Sequence, residues 1–123
     1  MILKIDQSSS LKSIQSDFNA YYPFLKIEFF KQIPSHHLLY KTDSYSISES
    51  RKYLEGFYDG IAMIDISRKR SVTAVEKELE KILGLTARVF RKSGNVWVET
   101  TLTNEWSLDE ANEEGKQISS HFN

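Results

Sequence analysis

The stretch from Thr86 to Leu102 constrains this chain more than any other. Thr86–Lys92 and Asn95–Leu102 both read as strands, and they flank Ser93-Gly94, a dipeptide suited to a tight hairpin turn. With that turn, Lys92 faces Asn95, Phe90 faces Trp97, Arg88 faces Glu99, and Val89 faces Val98. An aromatic pair and an opposite-charge pair then share one face, and an aliphatic pair takes the other. Such a hairpin has one side to bury and one side on which charge and aromatic surface meet.

The remaining segments supply partners for the side to be buried. Ile2 to Ile5 reads as a short strand. Ser8 to Ser10 offer N-caps to a helix whose apolar residues Leu11, Ile14, Phe18 and Tyr21 recur at helical spacing, and Pro23 ends it. Phe24 to Lys31 is a strand with Leu25, Ile27 and Phe29 on one face and Phe24, Lys26, Glu28 and Phe30 on the other. Ile61 to Ile66 is a third strand. Ser71 or Thr73 caps the helix that follows, with Thr73 and Glu76 spaced as a capping box. Val72, Val75, Leu79 and Ile82 form its apolar stripe, and Gly84 stands where a left-handed C-terminal residue is wanted. Ser107 and Glu110 match the capping box of a last helix, with Trp106 placed to staple back onto Ala111. Leu108, Ala111, Gly115, Ile118 and Phe122 make the apolar side of this helix, where Gly115 allows close approach to a sheet.

Between Gln32 and Gly60 the pattern is lost, apart from a short helix expected near Glu49 to Phe57. A connection of this length in a compact domain is usually functional or mobile. The order β-α-β, long connection, β-α-β-β-α predicts a single α+β domain over residues 1–123. The expected form is a two-layer sandwich: a ferredoxin-like split β-α-β with an added C-terminal hairpin strand and helix, and a mainly antiparallel sheet.

Composition narrows the function classes. A formal net charge of -1 in 123 residues disfavours a general nucleic-acid binder, whose affinity comes largely from phosphate neutralisation. The chain has no cysteine, which removes disulfides, thiolate metal sites and cysteine nucleophiles. No apolar run approaches the roughly 18 residues of a membrane span. Met1 to Asp6 is too short and too soon polar for a signal peptide, so the expected location is the cytoplasm. Seven Phe, six Tyr and two Trp exceed what one small core needs, so some are expected on a contact surface.

Two segments carry a resemblance: the hairpin from Arg91 to Thr101, containing Lys92-Ser93-Gly94-Asn95-Val96-Trp97-Val98-Glu99-Thr100-Thr101, and the following Trp106-Ser107-Leu108-Asp109-Glu110 with Asn112 to Gly115. Together with the strand from Phe24 to Phe30, they resemble a set of small uncharacterised bacterial proteins. The resemblance implies a bacterial source. It supplies neither an activity nor site residues.

The candidate sites are therefore read from the residues alone. If helices cover the side bearing Leu25, Ile27, Phe29, Val89 and Val98, then Phe24, Lys26, Glu28, Phe30, Arg88, Phe90, Trp97 and Glu99 lie on an open face. Aromatics interleaved with charges suit contact with another protein surface or a planar ligand. The competing reading is that the long connection folds over this face. A second candidate is a cationic end, where Arg68, Lys69, Arg70, Arg91 and Lys92 gather beside a helix N-terminus and attract an anion. The blander alternative is a solvated charge run, and no glycine-rich phosphate loop accompanies the cations. His36-His37 has no partner at ligand spacing, so no metal is implied. No cofactor motif is present, and no serine sits in a nucleophile elbow. These features favour a non-enzymatic binding or assembly module that forms a homodimer through its sheet or meets another protein. The alternative is a small-molecule- or anion-binding domain, or a minor enzyme, with a pocket between the sheet and the long connection.

Overall fold

Short apolar strands beside capped helices build the framework, which a computed structural model describes for residues 1–33, 38–42, 60–100, 103 and 105–120. In chain order the elements are β1 (Ile2–Ile5), α1 (Leu11–Tyr21), β2 (Leu25–Ile33), β3 (Leu38–Thr42), β4 (Ala62–Asp65), α2 (Val72–Leu83), β5 (Thr86–Ser93), β6 (Val96–Glu99) and α3 (Leu108–Ser120). The α+β class is as expected. The expected short helix over 49–57 lies outside the described residues.

The strands form two sheets in which every described pairing is antiparallel. β1 pairs with β4, and the other sheet runs β3-β2-β5-β6, curled into a half-barrel. A ferredoxin-like split β-α-β would place β1, β2, β4 and β5 in one sheet, with β1 and β4 at its centre. Here the β1–β4 pair stands alone, and β2 and β5 pair with each other through the register Ile27↔Val89. The two β-α-β units thus each start on the small sheet and end on the large one. β3, within the stretch that shows no sequence pattern, pairs with the second half of β2.

Local signals explain the helix ends. Ser10 caps α1 by accepting from the Ser13 N–H at 3.0 Å, and the Ser13 hydroxyl returns the bond to the Ser10 N–H at 2.9 Å. Ser71, not Thr73, caps α2, accepting from the Ala74 N–H at 3.1 Å. The Thr73–Glu76 capping box therefore does not form, and Glu76 is free for a distant partner. Gly84 closes α2 at φ 71°. Ser107 and Glu110 form the expected reciprocal box at the start of α3, at 3.1 and 3.3 Å. A Cβ on Gly115 would lie 3.0 Å from both Arg91 Cγ and Phe24 Cβ, so α3 needs glycine to approach this closely.

The apolar stripes of the helices meet Leu25, Ile27 and Phe29 of β2 and Ala87 and Val89 of β5 in one buried cluster. Leu3, Ile5, Ala62 and Ile64 bring the small sheet into the same core. Tyr22 sits inside it, donating its hydroxyl to the Ile66 carbonyl at 2.6 Å; burial pushes its phenol up to about 12.

The hairpin register differs from the sequence expectation by two residues. The turn is Gly94-Asn95, and the pairs are Ser93↔Val96, Lys92↔Trp97, Arg91↔Val98 and Phe90↔Glu99. Both primed two-residue turns need positive φ at their first central position. Ser93 would be strained there, whereas Gly94 takes φ 65° without penalty. A two-residue slide preserves the faces, because side chains alternate with period two. Phe90 and Trp97 still share a face, although they are no longer directly opposite.

Candidate functional site: the sheet face and its flanking cleft

The geometry of the candidate site begins with strands that overhang their neighbours. β3 covers β2 only from Phe29 onward, and β6 covers β5 only from Phe90 onward. The outward carbonyls of Leu25 and Ile27 and the outward N–H groups of Ala87 and Val89 therefore lack strand partners, and helices supply them, while Thr100 donates to the Val89 carbonyl. On α1, Asn19 Nδ2 donates to the Leu25 carbonyl at 2.8 Å and Gln15 Nε2 to the Ile27 carbonyl at 2.9 Å. On α2, Glu80 Oε2 accepts from the Ala87 N–H at 3.0 Å and Glu76 Oε2 from the Val89 N–H at 2.8 Å. Both pairs are spaced four residues apart, so each presents two side chains from one helix face. Burial holds the Glu76 carboxyl above its ordinary range, against the opposing effect of the Val89 hydrogen bond.

On the face away from the helices, Phe30, Arg88, Phe90 and Trp97 are half-buried and Glu99 is exposed. Arg88 bridges Glu80 at 3.1 Å and Glu99 at 3.3 Å, so the expected Arg88–Glu99 pair survives the register shift as a diagonal contact. Lys26 Nζ lies 5.8 Å from the Phe90 ring centre and 5.0 Å from that of Trp97. Phe24 is not part of this surface. It precedes β2, borders Gly115, and is held by its N–H to Asn112 Oδ1 and its carbonyl to the Lys92 N–H, both at 2.9 Å.

Glu28 organises the α1 side of this face. Its side chain is 10% exposed, and its two oxygens receive Lys26 Nζ and Lys41 Nζ, each at 3.2 Å. Next to it lies an open cleft of about 350 Å³, walled by Lys12 and Ser16 of α1 and by Lys26, Glu28, Lys41 and Trp97 of the sheet. Lys12, Ser16 and Lys41 are not among the residues singled out from sequence. A polar stripe at 12, 15/16 and 19, adjoining the apolar stripe of α1, is the signal that points to Lys12 and Ser16. Lys41 had no such signal, because β3 is silent in the sequence.

The expected cationic end divides among several partners. Arg68 pairs with Asp109 at 3.6 Å, and Arg70 with Glu78 at 2.8 Å. Arg91 packs its guanidinium 5.6 Å from the Trp106 ring centre, and its buried Nε and Nη1 have no hydrogen-bond partner among the described residues. Lys92 lies opposite Trp97, and Lys69 is exposed. The helix N-termini nearby are already occupied. The N–H groups of Leu108 and Asp109 donate to the carbonyls of Arg70 and Arg68, and the Val72 N–H donates to that of Trp106. Little backbone donor capacity is left there for an anion.

Among the described residues no group of three or more His, Asp or Glu side chains is arranged to hold a metal. His36, His37 and His121 lie outside them. No described helix is long and apolar enough to cross a membrane. No family model, curated protein or solved structure matches the chain.

Proposed function

We propose that this protein is a non-enzymatic binding or assembly module that works through the outer face of its four-stranded sheet, with a second copy of itself as the partner. The observation that carries this reading is the grouping of Phe30, Phe90 and Trp97, each only partly covered, on the face opposite the core side chains. Aromatic rings left partly open together on one sheet face suit contact with another surface. Charges of both signs lie among the rings, with Lys26 beside Glu28 and Arg88 beside Glu99. Alternating signs suit isologous contact, in which each surface meets its own copy and the assembly closes.

Trp97→Lys is the test. Wild type should sediment as a dimer at micromolar concentration, and the variant as a folded monomer with unchanged helical circular dichroism. A wild type that remains monomeric at high concentration would rule out self-association. Unfolding of the variant would instead place Trp97 in the core.

A further inference from the structure

We infer that the cleft between α1 and the β2–β3 edge binds a small dianion attached to a planar group, such as an aryl or heteroaryl phosphate monoester. Among the described residues that line it, three lysines, Lys12, Lys26 and Lys41, stand against a single carboxylate, Glu28. The formal balance is three positive charges minus one negative, a local excess of two in a chain whose net charge is -1. Glu28 also positions the cations. By engaging Lys26 on one oxygen and Lys41 on the other, it holds two ammonium groups on one side of the cleft. Each ammonium carries three donors, so one bond to Glu28 leaves capacity for a ligand oxygen.

Lys12 is the third cation and the most informative one. It stands in the first turn of α1, where no acidic residue balances it and where the helix dipole disfavours positive charge. Among the described residues it has no ion-pair partner. A cation in an unfavourable, unpaired position beside two others is accounted for by an anion that occupies the cleft. Trp97, whose ring centre lies 5.0 Å from Lys26 Nζ, adds an aromatic ring to the lining, and Ser16 adds a hydroxyl. The volume of about 350 Å³ falls at the small end of ligand sites, which suits one ring and one phosphate rather than a polymer. The cleft shares Lys26, Glu28 and Trp97 with the proposed dimer face, whereas Lys12 and Ser16 belong to α1, so Lys12→Glu probes the cleft separately from self-association.

Phenyl phosphate, inorganic phosphate and phenol, each titrated by calorimetry and by amide chemical shifts, provide the test. Phenyl phosphate should bind wild type more tightly than either fragment and shift the amides of α1 and β2. Lys12→Glu should weaken it by about tenfold or more, the loss expected from removing one charge-assisted contact and adding a repulsion. Because a carboxylate in the first turn of a helix is stabilising, this loss cannot be blamed on unfolding. Lys69→Glu, outside the cleft's lining, should leave binding unchanged, and sedimentation of Lys12→Glu should match wild type. Failure of wild type to bind phenyl phosphate at millimolar concentration, or equal weakening by Lys12→Glu and Lys69→Glu, would overturn the inference.

Discussion

The two β-α-β units solve the same problem with opposite chemistry. In the first, β2 overhangs β3, and the carbonyls left at Leu25 and Ile27 receive the amide groups of Asn19 and Gln15. In the second, β5 overhangs β6, and the N–H groups left at Ala87 and Val89 are accepted by Glu80 and Glu76. The difference has two consequences. A neutral amide cap adds no carboxylate to the first edge, where Glu28 is the one carboxylate among the described residues that line the cleft. The acidic cap at the second edge is neutralised on the spot by Arg88, which closes that edge upon itself. Units with equal topology therefore differ in what they offer to solvent.

The comparison breaks most clearly at Glu76. Glu76→Ala leaves the buried Val89 N–H without an acceptor and should cost about 1–3 kcal/mol in urea unfolding. A loss below this range would mean that water or β6 replaces the carboxylate. The matching changes on the first unit should cost less. Gln15→Ala and Asn19→Ala each leave a part-buried carbonyl, and an unpaired carbonyl is tolerated better than an unpaired N–H. About 0.5–1.5 kcal/mol apiece is expected, again by urea unfolding. Equal losses on the two sides would show that the edges are equivalent after all.

Arg88→Ala should cost under about 1 kcal/mol, because its side chain is 37% exposed and its two ion pairs are screened. Urea unfolding checks this, and a loss above about 1.5 kcal/mol would show that the second edge depends on the cation.

The smallest effect is a pH dependence. Folding raises the Glu76 pKa above its ordinary 4.5, so the folded state binds the proton more readily than the unfolded one. Stability linked to this group is then fully present below the unfolded pKa and is lost as pH rises through the folded value. Glu76→Gln keeps an acceptor for Val89 while removing the charge. Its stability relative to wild type should therefore improve as pH rises from 4 toward neutrality. Parallel stability curves for the two proteins would show that the carboxylate is not strained by burial.

Much of the local structure was legible from residues alone. The strands at Ile2–Ile5 and Leu25 onward, all three helices, the Gly84 terminus, the Ser107–Glu110 box and the close approach at Gly115 follow from apolar spacing and cap chemistry. These signals act within a few residues, so they are written in short windows. The hairpin shows where that legibility ends. Its existence and its two faces were readable from alternation, but its register turned on which residue accepts positive φ, and a two-residue slide leaves every face unchanged.

The sequence by itself determined the three helices, the strands other than β3, most of the side each buries (Tyr22, not the expected Tyr21, enters the core), and that aromatic and charged residues share the sheet's outer face. Only the tertiary structure decided that β2 pairs with β5 while β1 and β4 stand apart. It also decided that Glu76 leaves its own helix to cap a strand, and that Lys12, Lys26 and Lys41 converge. The physical reason is that strand pairing and cleft formation depend on contacts between residues far apart in the chain. Nothing in the local pattern of Lys12 or of the strand containing Lys41 encodes that they meet. Their approach follows from how far each strand overhangs its neighbour and which helix covers the gap.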